Sequence, residues 1–244
     1  MPLIYEPKGA AREYSPLACN LFKGCTIGCK YCYGPDCLRI SKEEYHSGPN
    51  IKKNVLKQLE KEAKKMAGDL REILFCFIGD VCQTPETVEL TRQALEIVGQ
   101  NNLKATILTK GGMRAEPLFP VLQRYGFSFG TSLVFTDFRL SPKLEPNADL
   151  PLLRSIAILT AKTQYNLRTW VSLEPVIYPS EAINVIRALW EIVDHWKVGK
   201  INHDSKLEKA VDWYRFYSDV TNLFDVVGSS YYIKDSLRKY EVKP

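Results

Sequence analysis

Short apolar runs of strand length alternate with amphipathic helical stretches along most of the chain, and this alternation restricts the fold more than any other feature of the sequence. Residues 17–22 read as a first strand. Residues 53–66 predict a helix with Val55, Leu56, Leu59, Ala63 and Met66 on one face. Residues 73–78, ILFCFI, are continuously apolar, as in a parallel strand covered on both sides, and Gly79-Asp80 ends the run. Pro85 stands where a helix can start, and residues 86–99 continue it. Further strands are expected at 104–109, 127–134, 168–173 and 196–201. Further helices are expected at 116–125, 152–163, from a Ser180 cap to about 194, and at 207–223. Residues 136–149, with two prolines, read as a loop, and the tail 225–244 is ambiguous. Six strands alternating with six helices imply α/β architecture with a parallel sheet and right-handed crossovers. Six βα units do not complete an eight-stranded barrel, so the expected fold is a partial, three-quarter TIM-type barrel. Its ligand site would lie at the C-terminal ends of the strands.

The 244 residues suit one such barrel, with a core at about 14–204 and a C-terminal helix and tail at 205–244. A hydrophobic content of 45% with 25% charged residues is that of a globular chain. No run of apolar residues is long enough to span a membrane, and the N-terminal stretch lacks the apolar core of a signal peptide. A cytoplasmic protein without membrane partners is therefore expected. The net charge of +5 is mild, and much of it comes from residues 52–71, where seven Lys/Arg face three Asp/Glu. That segment reads as a solvated helix face, with a phosphate-facing surface as the competing reading.

Seven cysteines are present, five of them within the nineteen residues from Cys19 to Cys37, and none follows Cys82. A disulfide framework would spread its cysteines through a small secreted chain, so clustering here points to metal binding. The loop reads Gly24-Cys25-Thr26-Ile27-Gly28-Cys29-Lys30-Tyr31-Cys32-Tyr33, a C-x3-C-x2-C pattern directly after the first strand. Soft, anionic thiolates suit iron–sulfur clusters, and Gly24 and Gly28 let the backbone come close to the sulfides. Three ligands to a four-iron cubane leave one iron open for a substrate or cofactor. Structural zinc is the alternative; it wants four ligands, with Cys19 or Cys37 recruited as the fourth.

The C-x3-C-x2-C loop with Tyr31 before its last cysteine, set in an α/β chain, resembles the radical SAM superfamily. The fuller string SPLACNLFKGCTIGCKYCYGP resembles its spore photoproduct lyase branch. The resemblance implies a single radical SAM domain over residues 1–244. Its 4Fe–4S cluster would sit on Cys25, Cys29 and Cys32. S-adenosylmethionine (SAM) would chelate the open iron and be cleaved reductively to a 5′-deoxyadenosyl radical that abstracts hydrogen from substrate. An external electron donor such as flavodoxin or ferredoxin is implied. Tyr31 and Tyr33, beside Cys32, are assigned to the cofactor.

At the end of the second strand, Gly79 and Asp80 stand where the superfamily carries a glycine pair and a glutamate for the SAM amine. One glycine is missing here, and Asp shortens the reach by one methylene. Lys110 resembles a lysine that contacts the SAM carboxylate. Ser132 and Glu174 end the fourth and fifth strands as further cofactor ligands, and Lys200, Asn202 and His203 follow the sixth. In the lyase branch a cysteine near the second strand returns a hydrogen atom. Cys82, in the loop after that strand, is the catalytic candidate, and Cys76 reads as a buried strand cysteine. The substrate is not named by the sequence; a DNA photoproduct is one candidate. The competing function is a non-enzymatic nucleic-acid-binding module with a zinc or iron–sulfur loop, which would need a dense basic face with aromatics.

Overall fold

The computed structural model describes residues 2–202 and 204–241. Its principal sheet has eight strands. β1 (Ile4–Tyr5) lies antiparallel beside β2 (Leu17–Cys19) at one edge. A separate two-stranded ribbon, β3 (Phe22–Lys23) and β4 (Asn50–Ile51), interrupts the chain before the sheet resumes. Then β5 (Glu72–Phe75), β6 (Lys104–Thr109), β7 (Ser128–Ser132), β8 (Arg168–Val176), β9 (His195–Lys200) and β10 (Tyr231–Ile233) add in sequence order, each parallel to its neighbour. Among the described residues β1 and β10 do not pair, so the sheet does not close on itself.

The helices between strands follow from the apolar spacing. Two short ones, α1 (Gly34–Leu38) and α2 (Lys42–His46), succeed the cysteine loop. In α3 (Val55–Lys65) the buried residues are Val55, Leu59 and Ala63, the face expected from the sequence. α4 (Pro85–Gln100) starts where Pro85 allows, under a capping box in which Thr84 and Thr87 satisfy each other's amides. α5 (Phe119–Tyr125) and the preceding 3-10 turn Gly112–Leu118 replace the single helix expected at 116–125, because Pro117 and Pro120 remove two amide donors. α6 (Ser141–Leu144) is a short turn within the 136–149 loop. α7 (Pro151–Thr163) and α8 (Pro179–Leu189) cover the later strands. The cap of α8 is Tyr178 rather than Ser180, with Pro179 as its first residue. No described helix is long and apolar enough to cross a membrane.

Three further departures matter for the site. The first strand stops at Cys19 because the Asn20 side chain leaves the ladder: its Oδ1 accepts from the Phe77 and Ile78 amides beyond β5. The helix expected at 207–223 is two, α9 (Ser205–Lys209) and α10 (Trp213–Val227), the second capped by Asp212. The ambiguous tail supplies β10 as a seventh parallel strand, followed by α11 (Asp235–Arg238). A YYI triplet is too short for periodicity to identify; pairing with β9 defines it.

The sheet curls until its two ends approach. The segment just before β2 reaches across to β8–β10. Glu13 Oε1 accepts from the Asp235 amide at 2.7 Å, and Lys197 Nζ donates to the Glu13 and Tyr14 carbonyls at 3.0 and 2.5 Å. The Tyr14 hydroxyl meets Ser172 Oγ at 2.9 Å and donates to Glu174. Burial pulls the Lys197 amine down to about 8.

Candidate active site

The C-terminal ends of the parallel strands converge on one cavity of about 430 Å³. The cysteine loop forms one wall, with Cys25, Cys29 and Cys32 all lining it. The loop is held from several sides. The Gly24 amide donates to Ile78 O at 3.0 Å and the Cys25 amide to Tyr45 O at 2.9 Å. Gln83 accepts from the Thr26 amide at 2.7 Å while donating to Gly24 O at 3.0 Å. Gly24 adopts φ +94°, and a Cβ there would stand 2.4 Å from Gly48 O, so only glycine fits. At Gly79 a Cβ would run into the Phe22 ring at 2.5 Å and Gly24 O at 2.8 Å. Gly79 is thus the point where the loop beyond β5 packs against the cysteine loop.

The three loop thiols are half-buried. Burial raises all three pKa values, that of Cys29 to about 12. Among the described residues no three His, Cys, Asp and Glu side chains converge as ligands of one metal ion. Three soft thiols spread along the wall of a sizeable cavity fit a larger group with a free coordination position facing that cavity. Cys37, on α1, is exposed and also borders the cavity, whereas Cys19 is fully buried in the sheet.

Asp80 is 7% exposed and lines the cavity. Both its oxygens are engaged: Oδ1 accepts from the Cys82 amide at 2.8 Å and Thr109 Oγ1 at 2.5 Å, and Oδ2 from the Lys110 amide at 2.7 Å. It fastens the loop beyond β5 to the end of β6. Lys110 lies over the Tyr31 ring, its Nζ 5.9 Å from the centroid and 3.8 Å from Glu145 Oε1. Burial opposes its charge, yet Cys29 and Glu145 hold its pKa above the ordinary lysine value. Ser132 lines the cavity at the end of β7, and Tyr33 borders it, 48% exposed. Glu174 lies within β8 rather than after it, and accepts from Lys234 Nζ at 2.7 Å as well as from Tyr14. Lys200 is 7% exposed and paired with Glu208 at 2.9 Å, and Asn202 donates to Lys200 O. His203 lies outside the described residues.

Cys82 is fully buried and does not reach the cavity. It packs under Gly111, where a Cβ would come within 2.5 Å of its own Cβ. Its backbone, not its thiol, serves the site, through the bond to Asp80. Of the two cysteines near the end of β5, it is Cys76 that lines the cavity, 6% exposed, with Sγ 3.5 Å from Gly79 O. The strand expected to contain it ends at Phe75, which places Cys76 in the loop.

Several site residues carried no recognisable signal in the sequence. Glu145 sits in what reads as a polar loop, and Arg154 in an otherwise apolar helix face. Both are completely buried and paired at 2.5 Å. Lys234, 3% exposed, follows the unrecognised β10, and Tyr14 precedes the first strand.

No family model matches the sequence, and no curated protein matches it. Solved structures do match. A spore photoproduct lyase mutant with bound AdoMet and dinucleoside spore photoproduct superposes with a TM-score of 0.65 at 14% identity, covering 87% of this chain and 64% of its own. Spore photoproduct lyase complexed with dinucleoside spore photoproduct gives 0.68 at 12% identity, covering 93% and 78%. Streptococcus suis SuiB bound to S-adenosylmethionine gives 0.67 at 14% identity, covering 93% and 53%. The chain thus spans between 53% and 78% of the length of these structures. At such identities the likeness establishes the fold alone: a mostly parallel α/β sheet with helices, similar to that of spore photoproduct lyase and SuiB.

Proposed function

We propose that this chain is a single-domain radical SAM enzyme in which Cys25, Cys29 and Cys32 hold a 4Fe–4S cluster and the cavity takes S-adenosylmethionine. The observation that carries this reading is the placement of three loop thiols in one wall of a 430 Å³ cavity built from strand ends, in a fold shared with proteins whose structures contain AdoMet. Held by Cys25, Cys29 and Cys32, the cluster would supply one-electron reductive cleavage of SAM and, through it, hydrogen-atom abstraction from the substrate. An external one-electron donor such as flavodoxin or ferredoxin fits a cytoplasmic setting.

The chain's own residues bind and orient. Lys110 offers a buried ammonium to a carboxylate, a charge-assisted bond that gains strength away from water. Asp80 fixes the backbone from which Lys110 projects, and as a residue of the cavity lining it is the carboxylate assigned to the SAM amine. Ser132 at the end of β7 and Glu174 within β8 present acceptors to the cavity, and Lys234 and Tyr14 hold Glu174 in place. Tyr31 and Tyr33 flank the loop. Cys76 takes over from Cys82 as the thiol from which a hydrogen atom could be returned, because it is the one that meets the cavity. A metal loop that only shapes a nucleic-acid-binding surface has no need of such a cavity behind its thiols.

Anaerobic reconstitution with iron and sulfide, then reduction in the presence of SAM, tests the reading. A brown protein that releases 5′-deoxyadenosine is expected. A colourless protein that binds only zinc would sink it.

The substrate class has its own prediction. Lys53, Lys57, Lys61 and Lys64 are exposed along and just before α3, on the side opposite Val55, Leu59 and Ala63, and none borders the cavity. This stripe does not feed a polyanion into the site, so DNA binding should be weak and salt-sensitive. Changing all four lysines to Gln should lower that binding and leave SAM cleavage unchanged. Tight duplex binding that survives high salt would reverse this and bring photoproduct repair forward.

A further inference from the structure

One buried carboxylate joins three parts of the site. Glu145 Oε2 pairs with Arg154 Nη2 at 2.5 Å, and neither side chain is exposed. Arg154, on α7, also donates to Asp149 O at 2.7 Å, Ser132 O at 2.8 Å and Ser141 Oγ at 2.9 Å, which ties α7 to the end of β7, to α6 and to the loop that leads into α7. The other oxygen of Glu145 accepts from the Tyr31 hydroxyl and stands 3.8 Å from Lys110 Nζ. Tyr31 lies between Cys29 and Cys32. Burial works against the charge on Glu145, but Arg154 and Lys110 outweigh it and keep the carboxyl below its ordinary pKa.

Fold stability alone does not account for this arrangement. Replacing a buried ion pair with apolar side chains of similar volume is often neutral or stabilising. An apolar pair would secure α7 equally well, but it would hold neither a hydroxyl nor an ammonium. Backbone bonds from the Lys30 amide to Leu144 O and from the Asn147 amide to Ile27 O, at 2.9 and 3.1 Å, dock the two loops on each other. The ion pair adds a fixed charge at that junction.

We propose that Glu145 and Arg154 are positioning residues for the cysteine loop: anchored by Arg154, Glu145 locks Tyr31 between two of the cluster cysteines and holds the Lys110 ammonium beside Cys29. The inference rests on the radical SAM reading. It makes the post-β7 loop, not the cysteine loop alone, responsible for the conformation and local charge of the cluster site.

The test uses reconstituted full-length protein, with iron release to a chelator and the cluster midpoint potential as readouts, and thermal unfolding as the control for folding. Tyr31→Phe leaves the ion pair intact and removes only its link to the loop. It should speed iron release about tenfold or more without lowering the unfolding midpoint appreciably. Glu145→Gln removes a negative charge near Cys29, which favours the added electron, so the midpoint potential should shift upward. Iron release from Tyr31→Phe at the wild-type rate, or a folded Glu145→Gln protein with an unchanged potential, overturns the inference. If Glu145→Gln does not fold, Tyr31→Phe decides by itself. A wild-type protein that takes up no cluster overturns the radical SAM reading together with this one, whereas a wild type that loads while Tyr31→Phe behaves identically overturns this inference alone.

Discussion

Replacing Cys25, Cys29 or Cys32 with alanine, one at a time, is expected to abolish both the iron–sulfur absorbance and the release of 5′-deoxyadenosine. Each change removes one of the three proposed ligands, and three of the four other cysteines offer no ready substitute. Cys19 is buried in β2, Cys82 is sealed under Gly111, and Cys76 hydrogen-bonds within the loop beyond β5. The fold itself should survive, because the three thiols sit half-buried on a loop whose shape is set by Gly24, Gln83 and Tyr45. Substitutions of that kind usually cost no more than about 1 kcal/mol. Iron and sulfide analysis, with chromatography of the nucleoside product, checks the result. The decisive control is Cys37→Ala, since Cys37 borders the same cavity. It should keep the colour; if it bleaches as fully as Cys29→Ala, the three-ligand, open-iron reading fails.

Asp80→Ala should have the second largest effect, and of a broader kind than the sequence suggests. From the sequence, Asp80 is one acceptor for the SAM amine, and its loss costs one charge-assisted bond, about 1.5–3 kcal/mol or roughly 10- to 150-fold in SAM affinity. In the structure the same carboxylate also accepts from two backbone amides and a hydroxyl, all at or below 2.8 Å. Alanine would leave these donors unpartnered at a largely buried site and would release the backbone that carries Lys110. A stability loss on the order of 3 kcal/mol is expected, which for a chain of this size lowers the unfolding midpoint by about 6–12 °C. The cluster colour should persist, because Asp80's hydrogen bonds go to Cys82, Thr109 and Lys110 and to none of Cys25, Cys29 and Cys32. Calorimetry for SAM binding and thermal unfolding for stability separate the two effects. Unchanged SAM affinity would mean that the cofactor does not use this strand end, and an unchanged midpoint would contradict the tethering role.

The positions that a local pattern can specify came through well. The apolar face of α3, the strand Lys104–Thr109 and the start of α4 at Pro85 match expectation because periodicity, run length and capping chemistry depend only on near neighbours. Errors collected where a residue's partner lies far along the chain. Asn20 cuts the first strand short to serve amides almost sixty residues away; the split of the 116–125 helix at Pro117 and Pro120 is the exception, a local effect of two missing amide donors. The seventh parallel strand was missed because three residues carry no period, and only the edge of β9 makes them a strand.

The same division runs through the site. The spacing of Cys25, Cys29 and Cys32, and the rule that parallel strands present ligands at their C-terminal ends, are properties of the sequence and of strand order, so the cysteine loop and Asp80, Lys110, Ser132 and Glu174 could be named before any coordinates as residues that face one cavity. Whether a given thiol reaches the cavity could not: Cys76 and Cys82 lie six positions apart, and the turn between them puts one in the wall and the other beneath Gly111. Nor could the meeting of Tyr31 with Glu145 and Arg154, or of Tyr14 with Glu174 and of that carboxylate with Lys234. A charged residue in a loop or on an apolar helix reads as solvated until its counter-charge is seen, and burying it is tolerable only where the partner is supplied. The curl of the sheet supplies those partners from distant segments, and that long-range geometry is what the tertiary structure alone decided.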